Sequence, residues 1–73
     1  RKIKKFFSDV RLKENISLDK IEGGISWYSY NYIWNQEKQH GVLAQELLET
    51  KHRHAVSMHE SGYYMVDYSK LPN

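Results

Sequence analysis

Ser8 and Lys13 stand five positions apart in the run Ser8-Asp9-Val10-Arg11-Leu12-Lys13-Glu14-Asn15-Ile16, and together they are the residues best suited to covalent chemistry. A serine hydroxyl is a weak nucleophile at neutral pH and needs a neighbour that takes its proton. Lysine does this only as the free amine, so its pKa has to be lowered, by burial or by a nearby positive charge such as Arg11. Asp9 works the other way, because a carboxylate favours the ammonium form. By residue type alone, Ser and Lys this close together more often mark a basic, solvated strand start. The elements that hold the pair therefore decide the matter.

The chain has 73 residues and no cysteine, so neither disulfides nor thiolate metal sites stabilise it. A core or a partner must do so. Aromatic residues make up 14%, including six tyrosines and two tryptophans, within a hydrophobic content of 40%. That apolar area suits an interface. No apolar run reaches the length of a membrane span or a signal segment. The net charge of +2 hides a basic start, Arg1, Lys2, Lys4, Lys5, Arg11 and Lys13 against Asp9. A nucleic-acid reader would continue that basic surface across the domain; the tyrosine-rich middle does not, and no nucleic-acid partner is expected.

Residues 1–7 read as a connector from an upstream domain, ending in Phe6 and Phe7, whose bulk can anchor the bond next to Ser8. Val10, Leu12 and Lys13 alternate with Asp9 and Arg11, the pattern of a short strand. Ser17 is placed to cap a single helical turn containing Leu18 and Ile21, with Asp19 near its positive end. Gly23-Gly24 ends it and turns the chain. Ile25 to Trp34 is the strongest strand, with Tyr28, Tyr30, Tyr32 and Trp34 on one face and Ile25, Trp27 and Ile33 on the other. Two largely apolar faces point either to cover on both sides, by a second element or another copy of the chain, or to a half-exposed face whose tyrosine hydroxyls reach solvent. After a polar loop at 35–39, Leu43/Leu47 and Ala44/Leu48 stack at helical spacing. Glu60-Ser61-Gly62 joins two short strands as a hairpin. His52, His54 and His59 lack the cysteine or carboxylate partners of a zinc site and read as surface residues, so neither metal nor cofactor is expected.

Three segments, in order, resemble the motifs of one family. Ser8-Asp9-x-Arg11-x-Lys13-x-x-Ile16 resembles the opening signature of the self-cleaving intramolecular chaperone domains, the S74 peptidases of phage tail spikes, tail fibres and endosialidases. Gly41-Val42-Leu43-Ala44-Gln45-Glu46-Leu47 resembles their central motif, preceded by the aromatic-x-Trp of Tyr32-Ile33-Trp34. The stretch from Gly62 to Leu71, with Val66-Asp67-Tyr68, resembles the closing motif. The resemblance implies an α+β domain over residues 8–73, made of short strands, a hairpin and one or two short helices and assembling as an intertwined homotrimer. It further implies Ser8 as nucleophile and Lys13 as general base, with Phe7, Asp9 and Arg11 around the cleaved junction.

The implied function is to trimerise, assist folding of an upstream fibre or spike in the host cytoplasm, and leave the virion precursor by cutting a bond flanking Ser8. Attack by Ser8 on its own carbonyl closes a four-membered ring, attack on the Phe7 carbonyl closes a five-membered one, and attack across a subunit interface is a third route. The alternative is a domain that no longer cuts and stays as a trimer cap at the fibre tip.

Overall fold

The computed structural model describes residues 4–72, which form two antiparallel three-stranded sheets. In one, β1 (Lys5–Phe7) lies beside β6 (Tyr64–Asp67), which pairs on its other edge with β5 (Val56–Met58). In the other, β2 (Lys13–Glu22) and β4 (Gln39–Gly41) flank β3 (Ile25–Tyr32). The one α-helix among the described residues, α1, is short, Ala44–Leu47. The architecture is therefore mostly β, where α+β was expected.

Gly23 and Gly24 turn β2 into β3 with φ of +62° and +78°, a region open to glycine at little cost, and Glu22 faces Ile25 across the turn. The helical turn expected at Ser17 to Ile21 is instead the middle of β2. Its capping signals are overridden because Ser17 and Leu18 pair with Ser29 and Tyr28 of β3. Pairing slips between Glu14 and Ser17, where Asn15 adopts a φ of +57° and reaches across to Asn31 at 2.7 Å. The short strand expected at Val10 to Leu12 is a 3-10 turn, and the strand begins only at Lys13.

The stretch read as a connector contributes to the first sheet, because Lys5, Phe6 and Phe7 pair with Asp67, Val66 and Met65. Arg1, Lys2 and Ile3 lie outside the described residues. The hairpin around Glu60-Ser61-Gly62 is present, with Met58 opposite Tyr64. No residue of β3 is fully exposed, so both of its faces are covered at least in part. Ile33 and Trp34, just past its end, are exposed, and Trp34 stacks on Tyr32 at 4.9 Å.

The core draws Ile25 from one sheet and Val66 from the other, with Val42, Ala44, Leu47, Ala55 and Leu71 between them in sequence or following them. Trp27, Val56, Tyr64 and Tyr68 pack around it. Tyr28 hydrogen-bonds both carboxylate oxygens of Glu46, at 3.0 and 2.8 Å, tying β3 to α1. This packing fixes the residues preceding α1 against the end of β1, where Ser8 lies.

Candidate active site

Ser8 follows β1 and is fully buried, held through both of its backbone groups. Its N–H donates to the Tyr64 carbonyl at 3.1 Å, and its carbonyl accepts from the Ala44 N–H at 2.9 Å. Asp9 then caps the 3-10 turn Val10–Leu12 by accepting from the Arg11 N–H. That turn re-aims the chain so that Lys13, the first residue of β2, points inward; it is 6% exposed, whereas the rest of the strand faces out.

The two side chains meet. Lys13 Nζ lies 3.0 Å from Ser8 Oγ and 2.6 Å from the Val42 carbonyl oxygen, and Ser8 Oγ donates to that same carbonyl at 2.9 Å. Tyr30 covers the amine with its ring face, the centroid 3.9 Å from Nζ. Burial lowers the Lys13 pKa from its ordinary 10.5 to about 7, and the Asp9 charge opposes the shift. Arg11, expected as a possible source of the lowering, is instead engaged with Asp9 and with the Gly62 carbonyl at 2.8 Å. A lysine near half-neutral at physiological pH, touching a buried serine hydroxyl, is a competent proton acceptor.

Asp9 is a buried charge that is fully partnered. One oxygen accepts from the Arg11 N–H and Nε, both at 2.9 Å, and from Gln45 Nε2 at 2.7 Å. The other accepts from Arg11 Nη2 at 2.7 Å and the Tyr64 N–H at 3.0 Å. The Arg11 guanidinium does most to hold its carboxyl well below the usual carboxylate range, against burial, with the backbone and Gln45 donors adding to it. Gln45 also accepts from the Val10 N–H at 2.8 Å. The carboxylate thus joins the 3-10 turn, α1 and β6 around Ser8. Phe7 sits at the edge of this cluster, its ring against His59 at 4.9 Å and its carbonyl accepting from the Tyr32 hydroxyl at 2.5 Å.

Several contributors are absent from the sequence-based set of Phe7, Ser8, Asp9, Arg11 and Lys13. The Val42 carbonyl is a backbone group, which no residue type announces. Gln45 lies in the central motif but reads there as a helix residue. Tyr30 and Tyr32 read as strand-face residues and Tyr68 as part of the closing motif; the signal was their polar tip, since a buried tyrosine hydroxyl finds a partner. Among the described residues no group of three or more His, Cys, Asp or Glu lies close enough to hold a metal ion. His52 is buried, contrary to its reading as a surface residue, and His54 is exposed. No helix among the described residues is long and apolar enough to cross a membrane.

A small, mostly β unit here buries a serine against a lysine of lowered pKa, the pair of groups that Ser–Lys acyl chemistry requires. Residues 8–55 match the family model of Peptidase S74, the chaperone of endosialidase, and the chain belongs to that family. The match begins at Ser8 and includes Lys13, Val42 and Gln45, while Tyr64 and Tyr68 lie beyond it. No curated protein and no solved structure matches the chain.

Proposed function

We propose that the chain is a C-terminal intramolecular chaperone that trimerises, assists folding of a phage tail fibre or spike ahead of it in the host cytoplasm, and then releases itself by cutting a bond flanking Ser8. The observation that carries the cleavage reading is the 3.0 Å contact between Ser8 Oγ and a Lys13 amine whose pKa burial lowers to about 7. Neutral Lys13 takes the Oγ proton as Oγ attacks the carbonyl carbon. The resulting ammonium returns a proton to the departing amide nitrogen as the C–N bond breaks, leaving an ester on Ser8. Water hydrolyses that ester to a carboxylic acid and restores the hydroxyl. Each protein turns over once.

Both carbonyls beside Oγ already accept a hydrogen bond, Phe7 from Tyr32 and Ser8 from Ala44. Ring size separates the routes. Oγ reaches the Phe7 carbonyl within its own chain through a five-membered ring, whereas its own carbonyl demands a four-membered one. Scission between Ser8 and Asp9 is therefore better served by an Oγ from another copy in the trimer.

Expression of the full-length protein tests this. Ser8→Ala and Lys13→Ala each stop processing, and the wild-type fragment masses place the new terminus at Phe7 or at Ser8. Unchanged processing in both variants refutes the catalytic assignment, and a stable monomer across a range of concentrations refutes the trimeric chaperone. The retained, non-cleaving cap has one observation in its favour, the pairing of β1 with β6, which integrates residues on the upstream side of Ser8 into the fold. It predicts an intact full-length chain as the only product.

A further inference from the structure

We propose that Tyr68 is a further catalytic residue, its hydroxyl donating to Ser8 Oγ and steadying the alkoxide as Lys13 takes the serine proton. The inference rests on the Ser8–Lys13 reading above.

The Tyr68 oxygen lies 3.3 Å from Ser8 Oγ and accepts from the Val42 N–H at 3.1 Å. A phenol has one proton to give. With Val42 N–H filling an acceptor position on the phenol oxygen, the phenolic proton is free to point at Ser8. The Ser8 oxygen can receive it, because its own proton goes to the Val42 carbonyl or, once the amine is neutral, to Lys13, and in neither case to Tyr68. One peptide residue thus arranges all three groups: the Val42 carbonyl holds Ser8 and Lys13, and its N–H orients Tyr68.

The neighbouring backbone makes room for this hydroxyl. A Cβ at Gly41 would lie 2.4 Å from the Tyr68 oxygen and 2.8 Å from that of Tyr30, closer than such contacts occur, so the two hydroxyls converge only over a glycine. The Tyr68 ring is positioned independently of its hydroxyl, edge-on to Phe6 at 5.9 Å and tilted against Trp27 at 6.1 Å. Its N–H is fixed by the Lys4 carbonyl at 3.0 Å. During attack, the serine proton moves to Lys13 and Tyr68 keeps its own, acting as a donor to developing negative charge.

The test is the processing rate of the full-length protein as a function of pH, with Tyr68→Phe and Gly41→Ala beside wild type and Ser8→Ala. Tyr68→Phe retains the ring, and its plateau rate falls about 100- to 1000-fold, the scale of one lost donor to a developing oxyanion. The pH midpoint stays where wild type has it, because Lys13 is still buried. Gly41→Ala keeps the phenol but displaces it, and slows cleavage in the same way; it decides the matter if Tyr68→Phe does not fold by melting temperature. A Tyr68→Phe rate within about twofold of wild type overturns the proposal. So does a fall accompanied by a midpoint displaced toward the ordinary lysine range, which marks a structural role. Continued processing by Ser8→Ala would instead defeat the Ser–Lys reading itself, an outcome separate from either.

Discussion

Replacing Lys13 by methionine in a Ser8→Ala background should stabilise the folded protein, and by an amount that depends on pH in a defined direction. Methionine fills nearly the same volume without a charge, so the variant removes the cost of burying an ammonium. In the folded chain Lys13 has a pKa of about 7 against an ordinary 10.5. Between those values the unfolded chain holds a proton that the folded chain has released, so stability rises with pH through the window. Below pH 7 both states hold the proton and the buried charge costs its full amount, about 5 kcal/mol at roughly 1.4 kcal/mol per pH unit. From pH 6 to pH 9 the lysine protein should recover about 2–3 kcal/mol of that cost, while the methionine protein recovers none of it. The assay is urea unfolding of Ser8→Ala and Ser8→Ala/Lys13→Met at both pH values and at one protein concentration, so that any self-association acts equally on both. Other titrating groups are common to the two proteins and largely cancel in the difference. A stability difference that is the same at pH 6 and pH 9 would refute the buried, pKa-lowered lysine, and with it the base that the cleavage mechanism needs.

Two further outcomes follow from the packing. Arg11→Lys replaces a two-pronged guanidinium contact on Asp9 with a single point charge. The Asp9 carboxyl then titrates closer to its ordinary range. Its stabilising contribution, present above the unfolded carboxylate pKa and lost as pH falls below it, disappears sooner, so acid unfolding followed by circular dichroism moves to higher pH. Leu47→Ala empties a core position that is 3% exposed and should cost about 2–5 kcal/mol in denaturant unfolding, a large share of the roughly 5–15 kcal/mol a small domain has.

The parts of this fold legible in the sequence are those governed by neighbours along the chain. Gly23-Gly24, the aromatic β3 and the hairpin around Gly62 each carry their own local signal. The part misread, Ser17 to Ile21, carries one too, a cap residue with apolar residues at helical spacing. It is overruled by pairing with β3, an interaction that propensity does not contain. The same division runs through the site. Residue type and motif picked out Ser8 and Lys13, but the cause of the lysine's lowered pKa is burial, not Arg11. Nothing in the local pattern marks Lys13 as the buried residue of β2, since the 3-10 turn before it sets its direction.

That distribution of contacts ties the chemistry to completion of the fold. Ser8 and Lys13 are close in sequence, so an unfolded chain also brings them together often. There, however, lysine has its ordinary pKa and is almost wholly protonated near pH 7, about a thousandfold poorer in free amine than the folded site. The groups that bury and orient the pair come from far along the chain: Val42 is 34 residues from Ser8 and Tyr68 is 60. The Asp9 carboxylate spans 36 residues to Gln45 and 55 to Tyr64. An intermediate that lacks either the α1 region or β6 therefore lacks a carbonyl to align the serine or a partner for Asp9. In the proposed chaperone this makes the Ser–Lys pair a detector of its own finished structure, active only after the segments on both sides of it have docked.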